Sequence, residues 1–205
     1  MKDAREKMVA TQIARRGIKD PLVLAAMRAV PRERFVPEQA ARAYEDRPLP
    51  IAAGQTISQP YIVALMIEAA GVKPGSRVLN VGSGSGYAAA VMAEIGAQVF
   101  AIERHAELAD ASKERLAALG YHRITVRRGD GSKGWPEEAP FDAIIVDAAG
   151  PALPEALKQE LAIGGRLVAP IGDGYQELIV LTQKNERDFE MRSLGGVQFV
   201  PLIED

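Results

Sequence analysis

The stretch RVLNVGSGSGYAAAVMAEIGAQVFAIE, residues 77–103, decides the fold. RVLNV (77–81) reads as a buried strand, because apolar residues run nearly unbroken through it. A glycine-rich turn follows, then an apolar helical pattern over 85–95 that Gly96 closes. QVFAIE (98–103) reads as a second strand. A strand, a crossover helix and a second strand make a parallel pair. Downstream the rhythm repeats. A helix spans 106–119 and stops at Gly120, and strands span 123–129 and 141–149. A helix over 154–162 and a strand over 165–172 come next. ELIVLTQ (177–183) and the segment 188–202 form a closing hairpin around Lys184–Arg187, without a fixed order for its two strands in the sheet. Upstream, 3–15, 21–29 and 60–71 carry helical spacing, and Asp20-Pro21 reads as a cap with a first-turn proline. Between them, 30–58 holds Pro31, Pro37, Pro48 and Pro50 and reads as loops. Irregular stretches this long are commonly functional.

The fold expected is α/β: a doubly wound, mostly parallel seven-stranded sheet. It carries an N-terminal helical extension and a C-terminal antiparallel hairpin. Its ligand cleft should lie at the carboxyl ends of the strands. One domain spans 1–205, with 1–72 as a helical and loop extension on the substrate side and 73–205 as the cofactor-binding core.

Composition narrows the function. A net charge of −2 without a basic run argues against a nucleic-acid backbone as partner. No apolar run is long enough to span a membrane. The charged start MKDAREKMVATQ lacks a secretory core. The chain has no cysteine, which excludes disulfides and thiolate chemistry and fits a cytoplasmic location. Only His105 and His122 could serve a histidine site, and both are expected at the surface. A serine hydrolase elbow is missing, since Ser83 rather than glycine lies two before Ser85.

The loop Gly82-Ser83-Gly84-Ser85-Gly86 offers backbone that a ligand can approach closely. Glu103 closes the second strand about twenty residues on, where a carboxylate can accept both hydroxyls of a ribose. A dinucleotide fingerprint would need glycine at 87, where Tyr87 stands, and no Gly-Lys-Ser/Thr phosphate loop follows. The G-x-G-x-G spacing resembles that of class I S-adenosylmethionine-dependent methyltransferases. That resemblance assigns Gly82, Ser83, Gly84, Ser85, Tyr87 and Glu103 to the cofactor, and puts Asp130 and Gly131 of GDG (129–131) near its adenine. Tyr87 reads equally as core, and Trp135 reads more readily as packing than as a ligand contact.

A more specific resemblance covers nearly the whole chain. MVATQIARRGIKDPLVLAAMRAVPRERFVP (8–37), AYEDRPLPI (43–51), GQTISQPYIVALM (54–66), VGSGSGYAAAVMA (81–93), GDGSKGWPEEAPFDAIIV (129–146) and VQFVPL (197–202) resemble the protein-L-isoaspartate O-methyltransferase family. The resemblance implies methyl transfer to the free carboxylate of L-isoaspartyl residues in damaged proteins and peptides, by a monomer. The methyl ester then collapses to a succinimide, and hydrolysis returns some normal aspartate. Thr56, Ser58, Gln59 and Val200 fall on the substrate side, with Ser58 matching the family's active-site serine.

That chemistry accounts for the uncharged character of GQTISQPYIVA (54–64). A carboxylate with a pKa of about 4 is already ionised at neutral pH and needs no general base. A lysine or arginine clamp would stabilise the anion before reaction and blunt its attack. Neutral donors orient it with less of that penalty. Ser58, just ahead of Pro60, is read as the N-cap of the following helix, beside free backbone N–H groups.

Two positions depart from the family pattern. Asn80 stands where an acid is usual, and Asp147 stands where a small or hydroxyl residue is more frequent. An exchange of acid positions is one reading. The departures also leave open a methyltransferase for another peptide carboxylate, or a low-activity cofactor-binding module.

Overall fold

The structure is a computed structural model and describes residues 1–204. The chain begins with α1 (Lys2–Met8), which runs on through a π turn at Val9–Ile13 to Arg16, and continues with α2 (Pro21–Ala29). Asp20 caps α2 as its sequence implies, its carboxylate accepting the Leu22 N–H at 2.8 Å and the Val23 N–H at 3.4 Å. The proline-rich segment forms short 3₁₀ turns and one small antiparallel ladder, β1 (Leu49–Pro50) with β2 (Thr56–Ile57). After α3 (Pro60–Ala70) come β3 (Arg77–Val81), α4 (Tyr87–Ile95), β4 (Gln98–Glu103), α5 (Ala106–Ala118) and β5 (Ile124–Arg128). The chain closes with β6 (Phe141–Val146), α6 (Glu155–Gln159), β7 (Leu161–Ile171), β8 (Gln176–Gln183) and β9 (Phe189–Val197).

Seven strands form one sheet in the order β5-β4-β3-β6-β7-β8-β9. The pairs from β5 to β7 are parallel, and β8 runs antiparallel to both β7 and β9. The closing hairpin therefore lies in chain order, with β8 beside β7 and β9 at the edge. Residues alternate between two buried layers, as period-two geometry requires. Val78, Val99, Ala143, Ile145 and Val168 join a core with α3, α4 and the N-terminal helices. Leu79, Val81, Phe100, Ile102 and Ile144 join the other, with Trp135 and Leu157. Cover on both faces explains why the central strands β3, β4 and β6 lack polar alternation. No described helix is long and apolar enough to cross a membrane.

Several element boundaries differ from the sequence expectation, among them the last strand, which ends at Val197 rather than at 202. β6 ends at Val146 rather than at 149, because Ala149 and Gly150 leave the ladder to bridge Pro201 and Ile171. The helix expected over 154–162 stops at Gln159, because Leu161 already pairs with Phe141 at the start of β7.

The register sets up the site. Val81 is level with Ile102 of β4 and with Val146 of β6. The next residue along each strand, Gly82, Glu103 and Asp147, therefore stands at one level at the carboxyl end of the sheet. The strand order turns back on itself between β3 and β6, and open α/β sheets bind ligands at such a switch point.

Candidate active site

Gly82 and Ser83 both donate their N–H to the carbonyl of Ile102, at 2.9 and 3.1 Å, which bends the loop across the end of β4. Gly82 holds φ at 74°, a left-handed conformation that glycine adopts without strain. Glu103 then fixes the loop from the side. One carboxylate oxygen accepts the Gly84 N–H at 2.8 Å, and the other accepts the His105 N–H at 2.9 Å. Each oxygen keeps a lone-pair direction for a further donor. Gly131 completes the wall from beyond β5, where a Cβ would collide with Val81.

These groups line a cavity at the switch point, where open α/β sheets bind their ligands. Gly82, Ser83, Gly84, Ser85, Tyr87, Glu103 and Gly131 all stand on its walls. The Ser83 hydroxyl is buried there and has no partner among the described residues. A left-over buried hydroxyl, a loop of glycines and a carboxylate with spare lone pairs fit an adenosyl ligand with a polar tail. Thr56, Ser58 and Val200 also line this cavity.

A second cavity opens on the other side of these residues. Thr56, Ser58, Asp147 and Val200 line both. Gln59 lines the second alone, with Tyr61, Leu65 and the segment that leaves β9. Arg16 is its one described cationic residue, and it is engaged: it lies 2.7 Å from Asp46 and stacks 3.5 Å from the Tyr61 ring centroid. The Thr56 and Ser58 hydroxyls form no hydrogen bond with any described residue, so both are free to donate.

Local backbone explains where these hydroxyls sit. The ladder of β1 with β2 directs buried Ile57 inward, and alternation directs Thr56 and Ser58 the other way. The expectation that Ser58 caps the helix is corrected. Gln59 occupies the N-cap, without a side-chain cap bond, and its amide donates instead to the Asp46 carbonyl at 3.0 Å. Ser58 is held by its backbone, since its carbonyl accepts Arg32 Nη2 at 2.8 Å. Arg32 is fully buried, gives its Nε to the Ala43 carbonyl at 2.8 Å, and lies 4.8 Å from the Tyr87 ring centroid. Burial lowers its pKa, and Tyr87 opposes that shift. Nothing in PRERF marked Arg32 out from its neighbours Arg28 and Arg34.

Other residues divide between cavity and core. Tyr87 lines the first cavity, yet its ring packs edge-on to Phe35 and its hydroxyl reaches Met27 Sδ at 3.6 Å. Burial pushes that hydroxyl up to about 12. Asp130 lies beside the cavity rather than on its wall, and its carboxylate accepts from the Ser132 N–H at 2.9 Å and the Ser132 hydroxyl at 2.7 Å. It shapes the turn that presents Gly131. Trp135 packs against Phe100 and under Arg127, away from both cavities. His105 is corrected from a surface residue to a half-buried wall of the first cavity, while His122 is exposed.

The C-terminal segment forms the remaining wall. Ala149 donates to the Val200 carbonyl at 2.8 Å, and Leu202 donates back to Ala149 at 2.7 Å. Gln176 clamps the backbone of Phe199 on both sides. Arg104 donates to the Ile203 carbonyl at 2.8 Å. Val200, Pro201, Leu202 and Ile203 are thereby held on the cavity.

The model of the family described as protein-L-isoaspartate(D-aspartate) O-methyltransferase matches residues 3–205. The protein-L-isoaspartate O-methyltransferase of Methylorubrum populi is 62% identical over 202 residues, covering 98% of this chain and 95% of its own. That of Brucella anthropi is 52% identical over 203 residues, covering 98% and 93%. A solved protein-L-isoaspartate O-methyltransferase superposes with a TM-score of 0.88 at 29% identity, covering 96% of this chain, which spans 65% of that longer one. A Plasmodium falciparum structure described as the same enzyme, in complex with S-adenosyl-L-homocysteine, gives 0.85 at 32% identity, covering 98% and 99%. With its switch-point cavity, its glycine loop and the glutamate that anchors that loop, the chain belongs to the protein-L-isoaspartate(D-aspartate) O-methyltransferase family, the S-adenosylmethionine-dependent enzymes of that name.

Proposed function

We propose that this enzyme methylates the free carboxylate of L-isoaspartyl residues in damaged proteins and peptides, and that uncharged donors at the meeting point of its two cavities align that carboxylate. The observation that carries the reading is that Thr56 and Ser58 line both cavities with their hydroxyls unbonded. Glu103 would hold the ribose of S-adenosylmethionine, with Gly82, Ser83, Gly84, Ser85 and Gly131 around the rest. When bound, the cofactor supplies a methyl carbon already activated by a sulfonium charge.

The chain's own part is positioning. Thr56 and Ser58 donate to the carboxylate oxygens and fix their direction of approach, while Gln59 and Val200 border the space the peptide occupies. The acceptor is ionised at neutral pH, so no residue has to remove a proton. Arg32 lies behind the backbone of this segment, giving Nε and Nη2 to the carbonyls of Ala43 and Ser58, and lines neither cavity. Alignment of reacting atoms is the main source of rate in such a site. We place the activity in a cytoplasmic monomer whose partners are proteins and peptides rather than nucleic acid or membrane.

The test uses labelled S-adenosylmethionine, an isoaspartyl peptide and its normal aspartyl twin. Base-labile label in the isoaspartyl peptide alone is the expected result. Equal labelling of both peptides, or of neither, would overturn the substrate assignment.

A further inference from the structure

A half-buried carboxylate stands where the two cavities meet. Asp147 follows β6 at the level of Gly82 and Glu103, and lines both cavities. Its backbone N–H donates to the Val81 carbonyl at 2.8 Å. One of its carboxylate oxygens accepts Asn80 Nδ2 at 2.7 Å. Asn80 is fully buried on β3, and its own Oδ1 has no partner among the described residues. No described cation pairs with Asp147. A partly desolvated carboxylate that faces a cavity without a counter-charge is stabilised by a ligand that supplies one.

We propose that Asp147, oriented by Asn80, is the binding site for the α-ammonium group of the cofactor. This rests on the reading of the first cavity as the S-adenosylmethionine site. β4 and β6 flank β3, so the ends of these strands put Glu103 and Asp147 about 10 Å apart. With the ribose at Glu103, the sulfonium lies next to it and the ammonium at the far end of the aliphatic chain. The distance suits the far group. The assignment also removes a conflict: an uncompensated anion at the junction would repel an incoming carboxylate, whereas a paired one does not.

Titration gives the proposal a second readout. Desolvation pushes the Asp147 carboxyl up to about 6, against the Asn80 hydrogen bond, and the charge of Glu103 adds to the rise. A cationic ligand favours the ionised form and lowers that value. Affinity is therefore greatest above about pH 6 and falls as pH drops through it, with a proton released on binding near that pH. The other charged groups facing these cavities are Glu103 on β4, Arg104 and His105 beyond it, and the Arg16–Asp46 pair across the second cavity.

Calorimetry with S-adenosyl-L-homocysteine, which keeps the ammonium but lacks the sulfonium, tests the assignment. Its des-amino analogue serves as control. The wild-type protein should bind the homocysteine compound on the order of 10- to 100-fold more tightly than the control. Asp147→Asn should lose that preference, together with the pH dependence near 6, while His105 remains in place. Retained preference in Asp147→Asn overturns the proposal. A wild-type affinity that is flat between pH 7.5 and 5 overturns it without any variant, should the substitution hinder folding. Failure of the wild-type protein to bind S-adenosyl-L-homocysteine at all would instead bring down the cofactor reading beneath it.

Discussion

Replacing Glu103 by Gln is expected to weaken S-adenosyl-L-homocysteine binding about a hundredfold. Both oxygens of this carboxylate accept backbone N–H groups, from Gly84 and His105. An amide keeps the shape but turns an NH₂ toward one of those donors, so the glycine loop loses an anchor as the ribose loses an acceptor. Hydrogen bonds to a charged group contribute roughly 1.5–3 kcal/mol each, and about 3 kcal/mol corresponds to that hundredfold. Isothermal calorimetry measures it directly. A variant within about threefold of the parent would contradict the placement of the ribose at Glu103.

Ser58→Ala should divide binding from turnover. The backbone of Ser58 is held by Arg32 through its carbonyl, which the substitution leaves in place. Only the hydroxyl is lost, and with it one constraint on the approach of the carboxylate. Misalignment of reacting groups costs on the order of a hundredfold in rate, so kcat with an isoaspartyl peptide should fall about ten- to a hundredfold. Affinity for S-adenosyl-L-homocysteine should stay within about twofold, because Glu103 and the glycine loop are untouched. Steady-state kinetics and calorimetry on the same preparation separate the two quantities. An unchanged kcat would remove Ser58 from the reaction, and a large loss of cofactor affinity would make it a structural support of the first cavity instead.

The parts of this architecture that follow a strong period were legible in the sequence. RVLNV and QVFAIE are buried on both faces, so their apolar runs and the glycine turn between them identify parallel strands without any tertiary information. Glu103 was legible for the same reason, since the end of a strand has a defined position in the cleft. The uncharged stretch around Ser58 stood out by its composition, and the family resemblance supplied the role proposed for it. Its geometry was not, because a serine ahead of a proline looks like a cap, and whether Ser58 or Gln59 takes that place depends on backbone angles set by the ladder of β1 with β2. Arg32 was hidden more thoroughly. Its burial arises from contacts with Ala43 and Ser58, which are far along the chain and meet it only in the folded state. His105 illustrates the reverse error: a polar residue near a helix start suggests a surface, yet its backbone is held by Glu103 and its position faces the cavity. The sequence set Asn80 and Asp147 apart as departures from the family pattern, while their hydrogen bond required the level register of β3 with β6.

The proposed mechanism rests on neutral donors, rather than a cation or a base, holding an already ionised acceptor. A crystal structure of the enzyme with S-adenosyl-L-homocysteine and an isoaspartyl peptide examines this directly. The side carboxylate should lie within hydrogen-bond distance of the Ser58 hydroxyl or the Thr56 hydroxyl, and face the sulfur across the junction of the two cavities. A carboxylate bound instead to Arg16 in the second cavity, with the Ser58 hydroxyl turned away from it, would contradict the account.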